Sequence, residues 1–196
     1  KRYKKSLKDK KLNRGLTALT QGFAAIAAGD IKQARTLTSR ARSDLNNMPL
    51  TKLLAAQTAQ LEGKRELTKE HYTSMLGDKE TEIIAIKGLL LEAKQDNDIN
   101  KALFLAEKAY ALRPDSDWVI LILLELSKKL KRWQTAIDMT KKALKYKLIT
   151  RENSNRILGL ILFEKYIEQS NALSSSHDDD IKSAYKLVPD FTPIVV

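Results

Sequence analysis

Few residues in this chain are equipped for chemistry. It has no cysteine, which excludes disulfides, thiolate zinc sites and cysteine nucleophiles. Two histidines leave little material for a histidine metal site or a Ser/His triad. His71 lies in KEHYTSML with Met75 four residues on, a spacing that puts an imidazole and a thioether on one helix face, as in axial haem ligation. With no C-x-x-C-H motif and no clustered histidine, the same spacing reads as a surface or packing histidine beside a core methionine. His177, in SSSHDDD, could meet a metal together with Asp178, Asp179 and Asp180. Consecutive aspartates point in different directions on a helix, so a solvated loop followed by acidic residues at a helix start explains the tract. No paired carboxylates and no nucleophile–base arrangement stand out. The chain is therefore expected to be no enzyme and to need no metal or cofactor.

The charge points elsewhere. The 196 residues include 35 Lys+Arg and 24 Asp+Glu, a formal net of +11. Residues 1–11 (KRYKKSLKDKK) hold a local net of +6 and residues 128–147 a net of +7, so the rest is close to neutral. Aromatic residues are 6% of the chain, and no nucleic-acid reading motif accompanies the basic stretches, which argues against DNA or RNA as a partner. Hydrophobic residues at 43% are too many for a disordered chain. No stretch approaches the ~20 apolar residues of a membrane span. The basic start reads either as the solvated beginning of a helix or as a juxtamembrane stop after a span outside this chain, on the cytoplasmic side.

The elements that position these residues follow from an internal period. Only 7 Gly and 4 Pro favour long helices. Gly29, Gly63, Asn97 and Lys131 stand 34 residues apart, and 34 is the tetratricopeptide period. Ala34, Ala102 and Ala136 lie five residues beyond three of these positions, and Ala41, Ala109 and Ala143 twelve beyond. Each unit would be two antiparallel helices meeting at small residues: Gly22 and Ala56, then Leu90 and Leu124, on the first helix, and Ala34, Thr68, Ala102 and Ala136 on the second. Gly29 and Gly63 would end first helices at positive φ, with Asn97 as substitute and Lys131 as a poor fit that weakens its turn. Pro114 closes the third unit, and Trp133 fills an aromatic core position at the start of a second helix. Trp118 either staples a helix start or lines the concave face. The expected pairs are 13–28/31–44, 49–62/65–76, 81–95/99–112, 116–130/133–146 and 151–170/178–187. The expected architecture is all-α: a right-handed solenoid of antiparallel tetratricopeptide-like helix pairs with about ten helices. Residues 1–12 form a basic juxtamembrane tail. Residues 13–196 form the repeat domain, with units at about 15–48, 49–82, 83–116 and 117–150 and an irregular unit at 151–189. Because Ile194, Val195 and Val196 follow in place of a polar capping helix, truncation at the C-terminal end is expected.

The segments LTALTQGFAAIAAGD, PLTKLLAAQTAQLEGK, KETEIIAIKGLLLEA, KALFLAEKAYALRPDSDW and YKLVPDFTP, in this order, resemble the HemY-type tetratricopeptide proteins, especially the alphaproteobacterial form. The resemblance implies two hydrophobic helices ahead of a cytoplasmic repeat domain at the bacterial inner membrane. It also implies a link to late haem (protoporphyrin) biosynthesis without a settled catalytic activity. The flavin-dependent protoporphyrinogen oxidases that share the HemY name need a Gly-rich dinucleotide turn, and no G-x-G-x-x-G is present. By repeat position Gln57, Gln60, Lys87, Leu91, Lys94, Glu125, Lys128 and Lys129 are expected to face the concave groove. Its lysines would suit an acidic peptide or a porphyrin propionate, against a plain solvated face as the default. Carboxylate-clamp repeat proteins pair such lysines with asparagines that are missing here. The function expected is a non-catalytic scaffold for protein partners, plausibly haem-pathway enzymes, held at the membrane by segments N-terminal to this chain. The alternative is a haem or porphyrin carrier using the basic groove.

Overall fold

The computed structural model describes residues 2–46, 48–170 and 178–187. The described residues contain ten helices and no strand, and fall into two compact units, Lys1–Asp98 and Ile99–Val196. The first unit holds α1 (Arg2–Ala27), α2 (Ile31–Leu45), α3 (Pro49–Leu61), α4 (Arg65–Thr73) and α5 (Glu82–Gln95). The second holds α6 (Ile99–Leu112), α7 (Asp117–Lys129), α8 (Trp133–Lys145), α9 (Arg151–Ser170) and α10 (Asp178–Leu187).

The 34-residue period is built into the turns. Gly29, Gly63, Asn97 and Lys131 all have positive φ, at 73°, 73°, 57° and 54°. Each is followed by a residue whose N–H reaches back across the helix end: Asp30 to the Ala25 carbonyl, Lys64 to Ala59, Asp98 to Ala93 and Arg132 to Ser127, at 2.8–2.9 Å. The acceptors are themselves 34 apart, so one Schellman-type end recurs four times and satisfies carbonyls that would otherwise be orphaned. Lys131 keeps the same turn and is the poor fit there, adopting the left-handed conformation at the cost that position imposes on a residue with a Cβ. After the first turn Asp30 caps α2, its carboxylate accepting from the Gln33 N–H at 2.9 Å. Pro49 occupies the first position of α3, where no N–H is needed.

Small residues set the packing distances. Ala34, Ala56, Ala102 and Ala136 are fully buried, and Thr68, Leu90 and Leu124 nearly so. Gly22 works differently from the expectation. A Cβ there would lie 2.8 Å from Leu54 on α3, so it marks the crossing of two first helices, α1 on α3, with no α2 atom among its nearest neighbours. Two further contacts carry no periodic signal: a Cβ on Gly15 of α1 would strike Leu45 of α2 at 2.6 Å, and one on Gly88 of α5 would strike the Tyr72 ring of α4 at 2.5 Å. The core of the first unit gathers Ala18, Leu19, Ala25, Leu37, Ala41, Leu45 and Leu54, each large side chain contributing about 1.5–3 kcal/mol by burial. In the second unit α7 buries Val119, Ile120, Leu123, Leu124 and Leu126.

Four expectations are corrected. Helix α1 begins at Arg2, not near residue 13, because nothing between Arg2 and Asn13 breaks a helix. Residues 2–12 therefore continue the first repeat helix, a rod of 26 residues or about 39 Å. Helix α4 stops at Thr73, not Leu76, and the chain turns through Gly77 at φ 83°. Trp133 is only half-buried, its indole N–H donating to Glu168 of α9 at 2.6 Å, so it is a polar tie as much as a packing residue. Gly22 is the fourth. Pro114 stands two residues after the end of α6, as expected. His177 and the stretch 188–196 lie outside the described residues. Among the described residues no helix is long and apolar enough to cross a membrane.

Candidate functional site

The expected groove residues sit on first helices of their units. On α5, Lys87, Leu91 and Lys94 follow at i, i+4 and i+7 and so share one stripe, with Lys87 and Leu91 exposed and Lys94 half-buried. On α3, Gln57 is half-buried and Gln60 is exposed, accepting from the Tyr72 hydroxyl at 3.2 Å. On α7, Glu125 is half-buried beside exposed Lys128 and Lys129, with Lys129 3.9 Å from Glu125.

Part of the positive charge of residues 128–147 is bound up internally. Lys131 pairs with Glu168 at 3.3 Å, and Lys142 donates to the Tyr110 hydroxyl at 2.9 Å while lying 3.5 Å from Asp115. Asp115 accepts from the Tyr146 hydroxyl at 2.6 Å, which with Lys142 holds its carboxyl below the ordinary range. That basic stretch is therefore partly a fastener between α6, α8 and α9, not wholly a free basic face.

The first unit carries a cleft that periodicity did not reveal. One wall is α2, where Arg35, Thr38, Ser39 and Arg42 fall at i, i+3, i+4 and i+7. The floor is α3, whose buried Ala55 and Ala59 keep it low, and Thr38 and Thr58 share a buried 2.8 Å hydrogen bond across it. The far wall is α4, with Leu67, Glu70 and His71, and Ser74 just past its end. At one end, about 150 Å³, the cations are engaged: Arg35 pairs with Glu62, which Lys64 also holds at 2.7 Å. The other, about 350 Å³, is lined by Arg42, Lys52, Glu70, His71 and Ser74, and both ends share Arg42, Ala55 and His71. Burial, then the Arg42 charge, hold the half-buried His71 imidazole below its ordinary value, against a smaller opposing effect of Glu70. Met75 is fully buried, so His71 and Met75 do not open together onto one ligand site. No group of three or more histidine or carboxylate side chains that could hold a metal occurs among the described residues.

Ion pairs tie second helices to the following first helices. Arg35–Glu62 recurs 34 residues on as Lys69–Asp96, at 3.0 Å, and Arg65 adds Glu92 at 3.0 Å and Asp96 at 2.7 Å. Arg14 donates from Nε and Nη2 to the two carboxylate oxygens of Asp44, each at 2.6 Å. These cations hold the Asp44, Glu62 and Asp96 carboxyls below the ordinary carboxylate range.

Residues 1–63 match the family described as HemY protein N-terminus. No curated protein matches the sequence. Solved structures share the fold at low identity. MamA of AMB-1 has a TM-score of 0.61 and 20% identity, covering 92% of this chain and 94% of that one. MamA of MSR-1 has 0.57 and 19%, covering 89% and 96%. PilF of Pseudomonas aeruginosa has 0.60 and 14%, covering 90% and 76%. MamA and PilF are helical solenoids of tetratricopeptide repeats, and the recurring turns and buried alanines of this chain are the same construction. Residues 1–63 thus carry the signature of the HemY protein N-terminus, on a chain whose fold is a helical solenoid with a 34-residue tetratricopeptide-like period.

Proposed function

We propose that this chain is a non-catalytic scaffold that presents a preformed helical surface to protein partners. The observation that carries this reading is the four-fold recurrence of one turn geometry at a 34-residue register, which fixes the helix pairs through buried small residues and leaves their outer stripes free to vary. The stripe of Lys87, Leu91 and Lys94 on α5 combines two cations with an exposed leucine (44%), a mixture suited to an amphipathic acidic segment. Its setting is the cytoplasmic side of the bacterial inner membrane and its partners are proteins of late haem biosynthesis; the HemY signature in residues 1–63 supports this.

Co-purification from membranes with the full-length protein as bait tests the reading. Partners recovered by the wild type should be lost or strongly reduced when Lys87 and Lys94 are both changed to Glu. Recovery of the same partners at the same yield removes the groove as the contact. A haemin titration tests the carrier alternative: a saturable absorbance shift at one equivalent, weakened by Lys87→Gln, would replace the scaffold reading with ligand transport.

A further inference from the structure

The cleft between α2, α3 and α4 shares no residue with the α5 stripe, and its larger end has the chemistry of an anion site. Arg42 makes no ion pair among the described residues. Among the described residues Lys52 donates only to the Ser74 carbonyl, at 3.3 Å, which leaves donor capacity on its ammonium. His71 is half-buried on the opposite wall, and Glu70 is the single acid lining that end. A guanidinium offers a planar fork that matches a carboxylate, and a partly desolvated wall strengthens the pairing.

We propose that this cleft takes a carboxylate side chain from an acidic segment of a partner protein, with Arg42 as the fork, Lys52 as the point charge and His71 as a third donor. The proposal uses the scaffold reading only in taking the ligand to be part of a protein. One feature favours a side-chain carboxylate over a phosphate or a lipid headgroup. Ala55 floors this end, and the cleft continues over Ala59 and past Leu67 at its other end, an apolar track for an aliphatic stem. This end, about 350 Å³, has ample room for a side-chain carboxylate and its stem.

The chain has two histidines, so the imidazole signals of His71 and His177 can be followed separately by NMR. The probes are the peptide acetyl-Ala-Glu-Ala-Glu-Ala-amide, its Gln counterpart, inorganic phosphate, and vesicles of phosphatidylcholine with phosphatidylglycerol. The Glu peptide should shift the His71 signal saturably, leave His177 in place, and raise the pH at which His71 titrates, since a bound anion favours the imidazolium. Arg42→Gln should weaken the peptide roughly tenfold. Arg42 is exposed, so the variant should fold, and the wild-type titration decides the matter if it does not. No shift at His71, an equal shift with the Gln peptide, or phosphate or vesicles acting on His71 as strongly as the Glu peptide would overturn the proposal. None of these results bears on the Lys87 and Lys94 stripe, whose test is the membrane co-purification.

Discussion

At the scale of single residues, the four equivalent turns separate what backbone conformation requires from what side chains add. Gly29 and Gly63 hold φ of 73° without cost, whereas Lys131 holds 54° with a Cβ. Lys131→Gly should therefore raise stability by up to about 1 kcal/mol despite losing the exposed contact to Glu168, and Gly63→Ala should lower it by about 1 kcal/mol. Urea unfolding of the two variants checks both signs. The carbonyl acceptors of these turns belong to Ala25, Ala59, Ala93 and Ser127. The Ser127 hydroxyl is buried without a hydrogen-bond partner among the described residues, so Ser127→Ala should leave stability unchanged or raise it by about 1 kcal/mol. Gly88→Ala should cost about 1–3 kcal/mol, because the new methyl displaces the Tyr72 ring and with it the Tyr72–Gln60 hydrogen bond. The glycines that end helices were legible from spacing. Gly15 and Gly88 were not, because a close approach between helices leaves no local trace in sequence.

At the scale of elements, second helices are fastened to the following first helices by charge as well as by packing. The recurrence of Arg35–Glu62 as Lys69–Asp96 stops at the next step, where the corresponding positions are Leu103 and Leu130. The Asp44, Glu62 and Asp96 carboxyls titrate below their ordinary values because Arg14, Lys64 with Arg35, and Lys69 with Arg65 favour the charged form. In the unfolded chain they bind protons more readily, so their stabilising effect is complete above the ordinary carboxylate range and is lost as pH falls through that range toward the lowered folded values. Melting temperature should decline below about pH 5, and the decline should be shallower in a Glu62→Gln, Asp96→Asn double variant. An identical pH profile for variant and wild type would show that these pairs do not set the acid limit. The cleft between α2, α3 and α4 belongs to this scale too. Its Arg35 and Arg42 look like ordinary solvated charges in sequence, and the available hint was two arginines at i and i+7 followed by the alanine-rich stretch of α3.

At the scale of the whole molecule, the +11 net charge is two local excesses with different fates. In residues 128–147 part of it is spent on contacts to Asp115, Tyr110 and Glu168. In residues 2–11 it rides on a helix continuous with the first repeat, where Leu7 and the following Leu12 are also exposed. Binding to vesicles containing phosphatidylglycerol should weaken with salt and fall sharply when the lysines of residues 1–11 are changed to Gln, but not when Lys141, Lys145 and Lys147 are. Equal losses from the two sets would mean bulk charge, not an address at the N-terminus. By itself the sequence determined the all-α class, the 34-residue register and most helix ends, because turn conformation and small-residue packing are imposed locally and repeat with the chain. Only the tertiary structure decided that Gly22 meets Leu54, that Trp133 is tied to Glu168, and that Arg42, Lys52 and His71 border one cleft. Those relations depend on how three or more helices are brought side by side, and no spacing within one helix encodes them.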